Sequence, residues 1–151
     1  MKAILLIVFA TTLISSSLKA QTAEDSVKTT INTLFEGMKN SDTSVLRSVF
    51  ADSAILQTIS RSREGKAIVR SEAVGTFVES IGKLEKGSAD ERITFDVIKV
   101  DGALAIAWTP YKFFFNGKLN HCGVNSFQLV RFDGKWKVQY LIDTRRRDGC
   151  E

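Results

Sequence analysis

The side chains best suited to chemistry fall between Trp108 and Arg147. In that stretch Trp108, Tyr111, Phe113, Phe115, His121, Asn125, Phe127, Trp136, Tyr140, Asp143 and Arg145 gather on segments that read as neighbouring strands. A carboxylate facing a hydrogen-bond donor can remove a proton beside a carbonyl while the donor steadies the oxygen that gains charge. Asp143 is the candidate base, with Asp96 second; Tyr111, Tyr140 and His121 are candidate donors, and Asn125 could orient a carbonyl. Asp143 and His121 are therefore the candidate catalytic pair. Trp108, Tyr111, Phe113, Phe115, Asn125, Phe127, Tyr140 and Arg145 also have the makeup of an apolar pocket with a few polar anchors. Ordinary roles compete with each of these. The aromatics could be core, Asp143 a turn or ion-pair residue, and His121 a structural histidine. Arg145-Arg146-Arg147, and likewise Arg61 and Arg63, could be a solvated cluster rather than an anion site.

Other chemistries find little support. One His and two Cys, with no His-x-His or Cys-x-x-Cys, give no metal set. There is no glycine-rich phosphate loop and no nucleophile elbow. His121 and Cys122 are adjacent on a strand, so their side chains point to opposite faces and cannot act as a nucleophile–base pair. No cofactor and no metal are expected.

The elements that would position these groups follow from periodicity. Val27, Ile31, Leu34, Phe35 and Met38 form one helical stripe. A short second helix follows Asp42, with Val45, Leu46, Val49 and Phe50 inward. Ala54–Ser60 and Lys66–Arg70 read as a hairpin turning at Arg63-Glu64-Gly65, after which Ser71 is expected to cap a third helix carrying Val74, Phe77, Val78 and Ile81. From Ile93 the period becomes two. Strands over 93–99, 103–116, 119–132 and 135–145 are joined by turns at Asp101-Gly102, Asn116-Gly117 and Asp133-Gly134, an antiparallel meander. Pro110 cannot donate to a ladder and should mark a bulge or bend. By alternation His121, Gly123, Asn125 and Phe127 share a face, as do Trp136, Val138, Tyr140 and Ile142, with Asp143 and Arg145 opposite the latter set. The whole reads as α+β, a curved antiparallel sheet wrapped over N-terminal helices.

The chain has 151 residues and 44% hydrophobic side chains, which suits one domain. Met1-Lys2, the apolar run Ala3 to Leu13 and the small residues up to Ala20 have the order of a secretory signal, too short to span a bilayer. Residues 1–20 are thus expected to be a signal peptide and 21–151 a single periplasmic or secreted domain. Removing Lys2 and Lys19 from 21 basic side chains, against 17 acidic, leaves an excess of two. That excess does not argue for a nucleic-acid or membrane partner. Cys122 and Cys150 could pair in an oxidising compartment, contributing about 3–4 kcal/mol in the chain-entropy account, or remain two thiols.

Trp108-Thr109-Pro110-Tyr111-Lys112-Phe113, His121-Cys122-Gly123, Phe127-Gln128-Leu129, Gly134-Lys135-Trp136-Lys137-Val138 and Asp143-Thr144-Arg145-Arg146 together resemble the nuclear transport factor 2-like superfamily. Within it the chain is most similar to the bacterial group called putative lumazine-binding, near the SnoaL-like proteins. The resemblance covers residues 22–147. It implies a cone-shaped, cystatin-like α+β barrel with an apolar cavity, commonly dimerised through the outer sheet face. The expected function is binding of a small apolar molecule. Two alternatives are an isomerase, dehydratase or hydrolase using Asp143 and His121, and a dimeric interaction module.

Overall fold

The computed structural model describes residues 22–150; the expected export signal over 1–20 lies outside the described residues. Helix α1 (Ala23–Asn40) starts at Thr22, whose hydroxyl accepts from the Asp25 amide at 3.0 Å while the Asp25 carboxylate accepts from the Thr22 amide. Asp42 caps α2 (Thr43–Val49) by accepting from the amides of Ser44 and Val45. A Cβ on Gly37 would stand 3.1 Å from Val45, so glycine permits the close approach of the two helices.

Strand β1 (Phe50–Arg61) follows α2 directly and forms a hairpin with β2 (Ala67–Glu72). Ser71 lies in β2, where its hydroxyl accepts from Gln57 at 3.0 Å. The next helix, α3 (Val74–Gly82), begins after Ala73 without a side-chain cap, which corrects the expected role of Ser71.

The strand expected over 93–99 is two strands, β3 (Ala89–Ile93) and β4 (Val97–Asp101), both paired with β5 (Leu104–Phe115). Ile93 pairs with Tyr111 and Val97 with Trp108, so three residues, 94 to 96, oppose two, Thr109 and Pro110. The Pro110 carbonyl accepts from the Thr94 amide, so the position of its missing N–H faces this same ladder. The break therefore appears in the partner strand where proline offers no donor.

Strands β6 (Lys118–Phe132) and β7 (Lys135–Thr144) complete a sheet ordered β2-β1-β7-β6-β5-β3, with β4 also on β5. The pairing is antiparallel except that β1 and β7 run parallel, so the sheet is mixed rather than wholly antiparallel. It is a large, curved, unclosed sheet over the helices. Asn116-Gly117 and Asp133-Gly134 adopt left-handed conformations in their hairpins, as their types favour. Val27, Ile31 and Leu34 of α1, Leu46 of α2 and Val78 of α3 pack with Phe127, Leu129 and Val138 of the concave face into one core.

Irregularities set which side chains face inward. β6 and β7 shift register between Gln128 and Leu129, with Gln139 as the extra residue. Trp136 and Val138 point to the core, but beyond Gln139 it is Leu141 and Asp143 that do. Tyr140 and Ile142 are on the outer face, so the expected grouping of Trp136, Val138, Tyr140 and Ile142 is corrected. A one-residue bulge exchanges faces for everything after it.

Candidate functional site

The concave face turns polar toward the Asn116-Gly117 end of the sheet. The centre of this region is Asp143, buried near the end of β7. Its Oδ1 accepts from the Thr58 hydroxyl at 2.6 Å, and its Oδ2 accepts from Arg145 Nε at 2.9 Å. The Tyr111 hydroxyl lies 3.0 Å from Asp143 Oδ2 and 2.9 Å from the Thr144 carbonyl, so one proton serves two acceptors. Burial first, then the charges of Asp143 and Glu91, push the Tyr111 pKa well up, keeping it a donor.

Beside this trio Asn125 donates to Glu91 Oε1 at 2.8 Å. Burial pushes the Glu91 carboxyl up to about 7; the Asn125 bond pulls down, Asp143 pushes up and Arg145 pulls down. The Thr109 hydroxyl, which shares the Asn125 register, is buried and has no partner among the described residues.

His121 stacks on Phe113, with centroids 4.8 Å apart, and meets Tyr111 edge-on at 5.7 Å. Its pKa is lowered by burial and then by the charge of Arg145. In the neutral ring Nδ1–H donates to Asn120 Oδ1 at 2.9 Å, which leaves Nε2 as an acceptor.

Gly123 makes this packing possible. A Cβ there would fall 1.7 Å from the Thr144 carbonyl oxygen and 2.9 Å from Tyr111 Cε1. The tyrosine ring crosses the space a side chain would take.

Of the residues singled out in the sequence, the fold brings together Tyr111, Phe113, His121, Asn125, Asp143 and Arg145. It separates the others. Trp108 lies on the outer face, 46% exposed, and Tyr140 lies there too, donating to Gln57 Oε1 at 2.7 Å. Phe127 is sealed in the core, edge-on to Phe35 at 6.3 Å. Phe115 stands at the strand end against Ala89, and Asp96 is exposed in the break between β3 and β4. Sequence reading missed Glu91 and Thr58. Glu91 stands outside the stretch where the site was sought, and Thr58 reaches Asp143 only because β1 and β7 pair in parallel.

The expected apolar pocket is also revised. The apolar interior is occupied by the chain's own helices, while a cavity of about 940 Å³ opens beside the polar cluster. Ser60, Arg61, Arg70, Asn120, His121 and the tail Arg145–Asp148 form its walls. The tail is held by a disulfide between Cys122 and Cys150. Reciprocal backbone bonds at 3.0 and 2.9 Å between Cys122 and Arg146 add to this hold.

Residues 22–139 match the family described as putative lumazine-binding. No curated protein matches the chain. Among solved structures, a nuclear transport factor 2-like protein of unknown function from Shewanella baltica OS155 superposes with a TM-score of 0.66 at 17% identity, covering 83% of this chain and 94% of that one. A putative dehydratase of the same fold family from Streptomyces avermitilis gives 0.58 at 15% identity, with 81% and 94% covered. A domain of unknown function with a cystatin-like fold from Nostoc punctiforme gives 0.61 at 12%, with 82% and 76% covered. At these identities the likeness is one of fold.

Proposed function

The chain belongs to the putative lumazine-binding family, and from that premise we propose that it is an exported domain holding a small molecule at the mouth of its curved sheet. The observation that carries this reading is an open cavity whose wall holds His121, packed on Tyr111, and Arg145, ion-paired to Asp143, so that it borders the polar cluster of Tyr111, Asn125, Asp143 and Glu91. Core residues do not need such a network, because burying polar groups costs free energy unless each finds a partner. Export is supported by the pattern of residues 1–20 and by the Cys122–Cys150 bond, which persists in oxidising compartments.

The test is a thermal-shift and calorimetry panel containing lumazine, small carboxylic acids and sugar phosphates, run on the purified protein and on Asp143→Asn. The substitution keeps the shape of the side chain while weakening its hold on Arg145. A panel member should bind, and the variant should shift its affinity, tighter for an anion, because Arg145 in the cavity wall is released from its ionic partner. A protein that binds nothing across the panel overturns the reading.

A second reading is acid–base catalysis on the bound molecule. Asp143 already accepts from Thr58, Tyr111 and Arg145, which occupies three of its roughly four lone-pair sites. Glu91, with its carboxyl pushed up to about 7, is the group that can both give and take a proton near neutrality. Turnover that tracks Glu91→Gln more steeply than Asp143→Asn supports this reading, and the reverse order sinks it.

The outer face favours a second copy of this chain as partner. Leu104, Ile106 and Trp108 alternate along β5 at 49%, 43% and 46% exposure, with Val97 opposite Trp108. A contiguous apolar face of this kind is costly to leave in water. Trp108→Lys should turn a dimer into a monomer in light scattering; a monomeric parent rejects it.

A further inference from the structure

We infer that the cavity at the mouth of the sheet takes a small molecule carrying at least two negative charges, an organic phosphate or a polycarboxylate. The inference rests on the reading that the mouth is a binding site and names the ligand class. Five guanidinium groups, from Arg61, Arg70, Arg145, Arg146 and Arg147, line this one concavity of about 940 Å³. Asp148 is the single acid in the wall, and Asp143 is ion-paired to Arg145 just beneath it. After both acids are counted, three positive charges remain uncompensated. Arg70, Arg146 and Arg147 form no ion pair among the described residues, and the Arg61 guanidinium meets only the Gly65 carbonyl, at 3.5 Å. The Ser60 hydroxyl in the same wall also lacks a partner among the described residues.

The five do not come from one basic run. Arg61 and Arg70 belong to the β1–β2 hairpin, whereas Arg145–Arg147 follow β7. The parallel pairing of β1 with β7, Ile59 against Thr144, brings the two groups together. Arg145 also donates its backbone N–H to the Ile59 carbonyl at 3.2 Å. A concave wall of one sign of charge concentrates its field within the cavity. The planar guanidinium fork fits the paired oxygens of phosphate and carboxylate better than a point charge would.

The site is also held in place in advance. The Cys122–Cys150 bond and the two-way backbone bridge between Cys122 and Arg146 anchor the tail that carries three of the arginines. Groups already ordered lose less entropy when a ligand arrives. On the floor, neutral His121 backed by Phe113 offers a flat face and one acceptor nitrogen. A molecule with its acid groups among the arginines and an uncharged body over His121 would satisfy both parts.

The experiment is calorimetry of the disulfide-intact protein with inorganic pyrophosphate and, separately, citrate, at low and moderate salt. The double variant Arg61→Gln/Arg70→Gln and the single variant Arg147→Gln are run beside it. These side chains are exposed, so their melting temperatures should match the parent. At least one anion should bind, more weakly as salt rises, with about tenfold loss for each arginine removed. The stronger arm distinguishes phosphates from carboxylates. Parent protein that binds neither anion, or variants that bind as well as the parent, overturn the inference. Binding of a long heparin chain without either small anion also overturns it, by making the arginines a surface patch. If an uncharged panel molecule binds and is indifferent to Arg61→Gln/Arg70→Gln, the mouth remains a binding site and only the anion class falls. If neither anions nor panel members bind, both readings fall together.

Discussion

Strands β5, β6 and β7 run the length of the concave face, and their two ends are stabilised by different physics. Toward the Gly102 and Gly134 turns the inward positions are Ala105, Ala107, Phe127, Leu129, Trp136 and Val138, all buried against the helices. Toward the Gly117 turn the same alternation continues with Thr109, Tyr111, Asn125 and Asp143, equally buried, the last three tied by hydrogen bonds among themselves and to Thr58, Glu91 and Arg145. Burial without direction is enough at the first end, because apolar contacts have no geometry to satisfy beyond packing. The second end needs each donor to meet its acceptor, so its partners are drawn from β1, β3 and the tail. Depth of burial alone does not distinguish core from site.

That contrast can be broken at either end. Phe127→Ala empties the most enclosed aromatic position of the apolar end and should cost about 3–5 kcal/mol in denaturant unfolding, without changing any residue of the mouth. A loss under about 1 kcal/mol would mean that α1 does not fill this end as tightly as Phe35 and Phe127 suggest. Gly123→Ala strikes the polar end, between His121 and Asn125 on β6. Its Cβ would collide with the Thr144 carbonyl, part of the backbone and unable to swing aside, so about 3 kcal/mol is expected, at the upper end of overpacking costs. The displaced Tyr111 should also lose its bond to Asp143. Loss of protection at the Thr144 and Arg145 amides in hydrogen exchange checks it, and unchanged protection would mean the ring does not depend on the glycine.

The apolar end was far more legible in the sequence than the polar one. The stripe from Val27 to Met38 and the Asn-Gly and Asp-Gly turns each specify local structure by chemistry that acts over a few residues. The superfamily resemblance, carried by short blocks such as His121-Cys122-Gly123, added the curved sheet. Which aromatics face the site was not readable in this way. The extra residue at Gln139 moves Tyr140 to the outer face, and nothing about glutamine announces a bulge. Trp108 was grouped with the pocket aromatics because it opens the aromatic-rich stretch, yet its position one step from Ala107 and Thr109 sends it outward. Glu91 and Thr58 enter the cluster through long-range pairing, which no local pattern encodes. The arginine cavity was likewise visible only as two separate basic stretches.

The smallest and most selective effect concerns Glu91, and it tests whether the polar end tolerates its own buried charge. The folded carboxyl has its pKa raised from 4.5 to about 7, so the native state holds the proton more tightly than the unfolded chain does. Below about pH 4.5 the group is protonated in both states and carries no penalty. As pH rises from there to about 7 the unfolded chain ionises first, and stability falls; above about 7 the penalty is constant. Glu91→Gln keeps an oxygen for the Asn125 amide but cannot ionise. It should therefore match the parent at pH 4 and exceed it at pH 8 by on the order of 2 kcal/mol, somewhat below the full shift because the side chain remains partly accessible. Denaturation midpoints measured at both pH values decide the matter. Phe127→Ala keeps Glu91 and should follow the parent's pH profile with a constant offset, since the substitution touches no ionisable group. Parallel pH profiles for Glu91→Gln and the parent would mean that Arg145 and water already neutralise the carboxylate. The polar end would then be stabilised much as an exposed surface is, and the contrast between the two ends would shrink to one of hydrogen-bond geometry.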